Sequence, residues 1–553
     1  MKKMLFVAFL SLIVIIGYSE INHSCEIEDN TDATPNMETI LKYIPDEFTT
    51  IKHVKVNFHF MMKSDSTLNF RPFDDGLGNC SFTAYDYSNQ IVSYVNQRLS
   101  GNEQMHLPPG NATQVLERKY RIILKDVYFH YDDDAYTYDD SSQGYLSASE
   151  INFYSVHPES EINVFFVYDD NPNGYQGGGN ANMSGNRRVR IKASWQKYRD
   201  GGGNDGFWGD SWTLIHEIGH NLGLNHTMHY SHGECCDHCD DGCSDTPTRH
   251  EIIEMGEPDP CPHWGNEGSN YSNNAMDYSG LVAITPQQLG IVHHTLTHDM
   301  LLYLEDNYCS INSGVPEHRI ANQQSLTWQN NRIMMNNLII EGGCSLTIKD
   351  CWIHIPSNAC IIVEPDGELI IENAIITNKC GMMWPGIQVW GDSNAHQYAV
   401  SGSYGQGYLE LKNGATIENA ECALALWRPG YWGTTGGIVH AEDAVFRNNH
   451  RAIHALHYRN HSPVSGKETG YNATFTRCQF TVDGNYPGDG DHVFHKHVDL
   501  DHVRGLKFRA CDFSVTAPSE NISQWTSGIA GYEAGFGVTG LCEKQQRASL
   551  PVV

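Results

Sequence analysis

From Val54 onward the chain places apolar residues at alternate positions: Val54, Val56, Phe58 and Phe60, with polar residues between them. A period of two is that of a β-strand. At 88–99 the period changes, and Ile91, Tyr94, Val95 and Leu99 share one face of a predicted helix. Further strands are expected at 120–128 and at 162–168, the latter almost wholly apolar. Another is expected at 189–195, after the glycine-rich stretch 174–185. The Asp- and Tyr-rich run 131–140 reads as a solvated loop. Helices are predicted at 212–222 and from Pro286 to about Leu304. Strands and helices alternating in this way predict an α/β or α+β domain, placed at 51–308.

Past residue 313 helical periodicity disappears and an internal repeat takes over. Leu346-Thr-Ile348-Lys-Asp-Cys351-Trp-Ile353 matches Leu369-Ile-Ile371-Glu-Asn-Ala374-Ile-Ile376. Copies follow at Val439 to Phe446, Ala473 to Phe480 and Leu506 to Phe513, with a looser one at Leu409-Glu-Leu411. The shared pattern is apolar-x-apolar-x-x-small-x-apolar, recurring every 23 to 40 residues. Short strands, a bend at the polar pair and another strand predict a right-handed parallel β-helix, placed at 314–520. Residues 521–553 read as a C-terminal tail. Cys351, Cys478 and Cys511 occupy the slot that Ala374 and Ala444 fill elsewhere, so they are expected to be small buried thiols.

Length agrees with two cores, because 553 residues exceed what one core sustains. Lysine plus arginine is 36 against 66 aspartate plus glutamate, a formal charge of −30. That excludes the basic footprint of a nucleic-acid binder. Lys2 and Lys3 precede an apolar run from Met4 to Ile16, then small residues about Gly17 and Ser19. This is the pattern of a signal peptide at 1–19, and the run is too short to span a bilayer. Residues 20–50 read as a linker or short pro-segment. No later segment is long and apolar enough to cross a membrane. The expected location is therefore extracellular, where the 16 cysteines are disulfide candidates first.

The chemistry is concentrated in His216-Glu217-Ile218-Gly219-His220-Asn221-Leu222-Gly223-Leu224-Asn225-His226. Residues four apart share one helix face, so His216 and His220 can address the same metal ion. Zinc suits such a set, accepting three protein nitrogens while keeping a position for water. Glu217, beside the first ligand, is the candidate general base for that water. Gly223 can turn the chain in a left-handed conformation and return His226 as third ligand. Together these predict a zinc-dependent endopeptidase acting on protein or peptide substrates.

This string, followed by Asn274-Ala275-Met276-Asp277-Tyr278-Ser279, resembles the metzincin metallopeptidases. The resemblance implies that Met276 forms an apolar floor beneath the metal and that the Tyr278 hydroxyl helps to bind the oxyanion. Asp245-Thr246-Pro247 and Ile284-Thr285-Pro286-Gln287-Gln288 narrow it to the pappalysin and cytophagalysin type. By the logic of that family, 189–195 would be the edge strand that pairs with extended substrate.

The resemblance also implies a disulfide from Cys235 or Cys236 to Cys261. Cys239 and Cys243 would form a tight pair, with the odd thiol seeking Cys80 or Cys309. Enzymes of this type can also bind calcium near this loop, which makes Asp237, Asp240, Asp241 and Asp245 candidate ligands, with solvated loop acids as the alternative. His229, His232 and His238 among these cysteines offer an alternative, a structural zinc. Cys25 is the candidate for a latency-conferring pro-segment thiolate.

Two other functional classes compete. A catalytically weak adhesin would work through the β-helix, binding a surface or a carbohydrate, yet it has no need to keep Glu217 and Tyr278. A glycan-cleaving enzyme would need paired carboxylates on one β-helix face. Asp350, Glu372, Glu418, Asp443 and Asp512 instead fall at or near the polar bend positions.

Overall fold

The computed structural model describes residues 36–539 apart from 108–109, 140–142, 172–174, 176–177, 184, 228–229, 232–233, 236–239, 258, 260–271, 278–281, 401, 489–491 and 518–521. The proposed signal peptide and Cys25 lie outside the described residues.

The N-terminal domain is a five-stranded sheet with helices packed on it. In chain order its elements are α1 (Met37–Leu41), β1 (Lys52–Met62), α2 (Ala84–Leu99), β2 (Tyr120–Tyr131), α3 (Ala148–Tyr154), β3 (Ile162–Val167), β4 (Gly179–Ala181), β5 (Arg188–Lys192), α4 (Ser194–Lys197), α5 (Gly203–Asn221), α6 (Arg249–Glu254) and α7 (Pro286–His298). Strand order is β2-β1-β3-β5-β4, parallel except for β4, which runs antiparallel to β5 at the edge.

The alternation in β1 is real, yet both of its faces are covered. Val54, Val56, Phe58 and Phe60 are buried in the main core, and Asn57 and His59 are buried on the other face. The polar set survives burial because it is satisfied. Asn57 donates to Glu161 at 2.5 Å, and His59 bonds to Asn163 at 2.8 Å and to His130 at 2.9 Å. Helix α2 starts at Ala84, four residues before the predicted 88, fixed by a reciprocal capping box between Thr83 and Asp86. The run 131–140 is a loop but not a solvated one throughout, since Ala135 and Thr137 are buried.

The C-terminal domain is a parallel β-helix with three faces. Two faces have eight strands, from His318–Ile320 to Ile522–Tyr532 and from Ser325–Trp328 to Gly535–Thr539. The third has seven, from Arg332–Ile333 to Asp512–Val515. Strand register reproduces the sequence repeat: Leu346 pairs with Leu369, Leu369 with Leu409, Leu409 with Val439 and Val439 with Ala473. The polar pair makes the bend between the second and third faces. Asp350, Asn373, Asn413 and Asp443 stand there with φ between 46° and 56°, a region that Asn and Asp tolerate.

Inside, aromatic rungs stack: Phe446 on Phe480 at 4.8 Å and Phe480 on Phe513 at 4.6 Å. Cys351, Cys478 and Cys511 are free and buried in the small-residue slot. Pairing continues past residue 520, where the pattern suggested a tail, because Ile522–Tyr532 and Gly535–Thr539 extend two faces.

Residues 36–51 are not a free linker. Ile40 packs on Gly290 of α7, leaving no room for a Cβ there. Asn331 of the β-helix donates its N–H to Lys42 O at 2.8 Å, and Arg332 Nη1 donates to Asp46 at 2.8 Å.

Candidate active site and metal centre

Helix α5 carries His216, Glu217 and His220, and its end brings the third histidine back. Leu224 N–H donates to Gly219 O at 3.0 Å, and Gly223 N–H donates to His220 O at 2.9 Å. This is a Schellman closure, and Gly223 supplies its left-handed residue at φ 91°. The Nε2 atoms of His216, His220 and His226 then lie 3.1–3.2 Å from one another.

Two of these nitrogens have a defined role. His216 Nδ1 lies 2.9 Å from Ala275 O, and His220 Nδ1 lies 2.7 Å from Leu224 O. A carbonyl only accepts, so each Nδ1 carries the proton and each Nε2 presents a lone pair. Burial holds both imidazoles below their usual range, His220 down to about 3. Neutral lone pairs converging at this distance repel unless a cation lies between them. Tetrahedral zinc with Zn–N bonds of about 2.0–2.1 Å requires nitrogens about 3.3 Å apart. The donor set therefore fits zinc. Among the described residues it is also the one place where three ligand-type side chains meet.

Glu217 is buried beside the triad, and its Oε2 has no hydrogen-bond partner. Burial pushes its carboxyl up to about 8, opposed by the positive charge of Arg190 on β5. Backbone comes very close: a Cβ on Gly179 of β4 would sit 3.0 Å from Glu217 Cγ. The glycine-rich stretch thus admits the edge strand to the Glu217 carboxylate. That edge is β4. The strand expected to play this role lies one position inward, as β5, and Trp195 belongs to α4.

Met276 lies under the helix. A Cβ on Gly219 would meet its Sδ at 2.5 Å, so the glycine in the motif makes room for the thioether. The same turn supplies the Ala275 carbonyl to His216, and Met276 O accepts from Thr227 N–H at 3.2 Å. Tyr278 lies outside the described residues.

The Asp-Thr-Pro and Thr-Pro-Gln-Gln segments are two ends of one fastening. Asp245 accepts from Thr285 Oγ1 at 2.7 Å and from Gln287 N–H at 3.0 Å. Gln288 caps α7, accepts from Asn274 at 2.8 Å and donates to Asp241 at 3.3 Å. Asn274 Oδ1 accepts from Met276 N–H at 2.8 Å. The loop after His226, the start of α7 and the methionine turn are thereby tied together. Asp241 and Asp245, both expected as calcium ligands, accept hydrogen bonds from protein donors. Asp240 accepts from Gly242 N–H, and Asp237 lies outside the described residues.

Cys243 is a free, buried thiol, so it does not pair with Cys239. Burial and neighbouring Asp241 push that thiol up, away from the reactive thiolate. Cys80 is free and exposed, and Cys309 bonds to Cys380. Neither serves the loop. The thiols of Cys235, Cys236, Cys239 and Cys261 lie outside the described residues, as do His229, His232 and His238.

Sequence reasoning missed Asn221, Gly179 and Arg190. Asn221 Nδ2 donates to Asn182 O at 2.5 Å and to Arg188 O at 3.2 Å, anchoring the edge strands to the metal helix. Its position directly after His220 was the one signal the sequence offered.

Comparison with known families agrees with this geometry. The profile of reprolysin-like metallopeptidases of family M12B matches residues 85–227. That of pregnancy-associated plasma protein-A matches residues 198–297. The overlap contains all three histidines and Glu217. No curated protein matches the chain.

Proposed function

We propose that this domain, a metzincin-type metallopeptidase domain by its two family matches, is a secreted zinc endopeptidase of the pappalysin type. The observation that carries the reading is the convergence of three imidazole Nε2 atoms beside a buried carboxylate oxygen with no partner. The leader-like N-terminus and the Cys309–Cys380 disulfide support export.

His216, His220 and His226 would hold the ion. Bound zinc supplies Lewis acidity to a water and to the scissile carbonyl. Glu217 accepts the proton of the attacking water at its unpaired oxygen and later returns it to the departing amine. Edge strand β4 offers backbone amides and carbonyls that align an extended peptide over the carboxylate. Tyr278, two residues after Met276, is the proposed donor to the developing oxyanion.

The test compares wild type with Glu217→Gln, both zinc-loaded, on an unfolded protein, with cut sites mapped by mass spectrometry. The variant is expected to lose about 10²–10⁴-fold in rate while retaining zinc. Equal cleavage by both proteins would remove Glu217 from the mechanism. A folded, zinc-replete wild type that cuts none of a broad set of unfolded substrates would overturn the peptidase reading.

A further inference from the structure

The β-helix carries a basic pocket that the peptidase centre does not use. It opens on the first face with a volume of about 420 Å³, lined by His450, Arg451, His495, Lys496, Ser527 and Ala530. Four of these six bear nitrogen donors, and none is acidic. In a chain of formal charge −30 such a lining stands out. Asp499 positions it from one side, 3.4 Å from Arg451 Nε and 3.0 Å from Lys496 Nζ. Both cations keep further donors for a ligand.

An aromatic platform continues from this pocket across the neighbouring coils. His454 Nδ1 lies 3.4 Å from Arg451 Nη1, and its ring meets the edge of Trp427 at 5.6 Å. Trp427 leads to Trp432, 5.7 Å away and inclined by 31°. Trp432 is 67% exposed and its neighbour Tyr431 is 55% exposed. Arg428 braces that corner, 4.0 Å from the Tyr431 ring and 4.6 Å from Trp390. Folding alone does not require an indole held on a rigid scaffold and left in water. Contiguous exposed apolar area of this kind marks a binding surface.

The two features call for a ligand with alternating character. Flat aromatic faces take the C–H faces of sugar rings, and the polar groups around them take hydroxyls. Successive coils are about 4.8 Å apart, comparable with the length of one sugar unit, so a chain can run across the rungs in step. The cationic pocket selects an anion on that chain. A neutral glycan would leave Arg451 and Lys496 sharing the single negative charge of Asp499. Nucleic acid is disfavoured by the net charge of the protein. An acidic peptide matches the pocket but not the platform.

We propose that the strip from Trp432 to His495 is a binding site for an acidic polysaccharide. Its rings stack on Trp427 and Trp432, and its carboxylate or sulfate groups enter the pocket of His450, Arg451 and Lys496.

The full-length protein is titrated with polygalacturonate, chondroitin sulfate, dextran and poly-glutamate, read by calorimetry and tryptophan fluorescence. At least one acidic polysaccharide is expected to bind, with affinity falling as salt rises. Dextran and poly-glutamate are expected to bind at least tenfold more weakly. Preference between the two acidic polymers distinguishes carboxylate from sulfate as the anion. Trp432→Ala and the pair His495→Ala/Lys496→Gln alter exposed or half-exposed side chains, and circular dichroism checks that each variant folds. Each is expected to lose tenfold or more. The proposal is overturned if neither acidic polymer binds, if both folded variants bind like wild type, or if dextran or poly-glutamate binds as tightly.

Discussion

Replacing Gly223 by alanine tests the metal turn directly. Its φ of 91° costs an L-residue about 1–2 kcal/mol. The added Cβ would also lie 2.7 Å from Thr295 Oγ1 and 3.3 Å from Ile291 Cγ2. Both neighbours belong to α7, which is packed in the core and has little freedom to retreat. Overpacking of this kind costs about 1–3 kcal/mol, so the total is about 2–5 kcal/mol. The strain falls in the turn that brings His226 to the other two ligands. If only about 2 kcal/mol of it is expressed in ligand geometry, zinc binding weakens about 30-fold.

Zinc affinity is measured by competition with a chelator, and apo-protein stability by thermal melting. Thr295→Ala removes the nearest obstructing atom. The double variant should therefore regain about 1–2 kcal/mol relative to the sum of the single changes, while the φ cost persists. Wild-type zinc affinity and melting in Gly223→Ala, or strict additivity in the cycle, would refute the reasoning.

Three further outcomes follow from the same structure. Tyr278→Phe removes the proposed oxyanion donor and should lower kcat about 10²–10³-fold with zinc content unchanged, whereas an unaltered kcat would exclude the role. The Cys309–Cys380 bond closes a separation of 71 residues, so Cys309→Ser with Cys380→Ser should cost about 4 kcal/mol of unfolding free energy in denaturant titrations; a midpoint shift worth less than about 1 kcal/mol would show that the loop is constrained without it. Burial pushes His59 down to about 3 and His130 to about 4, against about 6.5 unfolded. The unfolded chain therefore takes up protons that the folded one refuses. Stability is complete above pH 6.5 and should fall by up to about 1.4 kcal/mol per pH unit for each histidine as pH drops towards 4, a slope that His59→Gln/His130→Gln flattens. An identical urea-midpoint slope between pH 7 and 4.5 in that double variant would contradict it.

Where a repeated local constraint met a single packing solution, the sequence was legible. Leu346, Leu369 and Leu409 fall on one β-helix line because each coil must bury the same position against the next. The two motif histidines were legible because helical periodicity alone brings residues four apart together. What stayed hidden depends on contacts between distant segments. No local pattern says that β4, three residues long, turns back to cover β5 and take the edge. Nor does spacing reveal that Asp245 accepts from Thr285 and Gln287 and so fastens the loop to the start of α7. The pairing expected between Cys239 and Cys243, and of the odd thiol with Cys80 or Cys309, failed for a similar reason. The expected export favoured disulfides in general, but the partner of Cys309 is Cys380, 71 residues away, and Cys243 is a buried thiol.

These distant contacts also explain why the two domains need not be read as an enzyme with a passive extension. Helix α7 faces both. Through Ile291 and Thr295 it backs the turn at Gly223, and through Gly290 it receives Ile40 of the N-terminal strap. His294 and His298 meet the Tyr43 ring at 4.9 and 5.5 Å, and Tyr43 accepts from Trp352 Nε1 of the β-helix at 3.3 Å. Lys379 covers that indole at 3.6 Å, one residue before the disulfide that tethers the coil. These contacts place the turn at Gly223, the strap and the first coils in one packed unit. A change that loosens α7 from Trp352 therefore acts on the element that holds Gly223 in place. In this architecture the first coils of the β-helix and the turn at Gly223 are backed by the same helix.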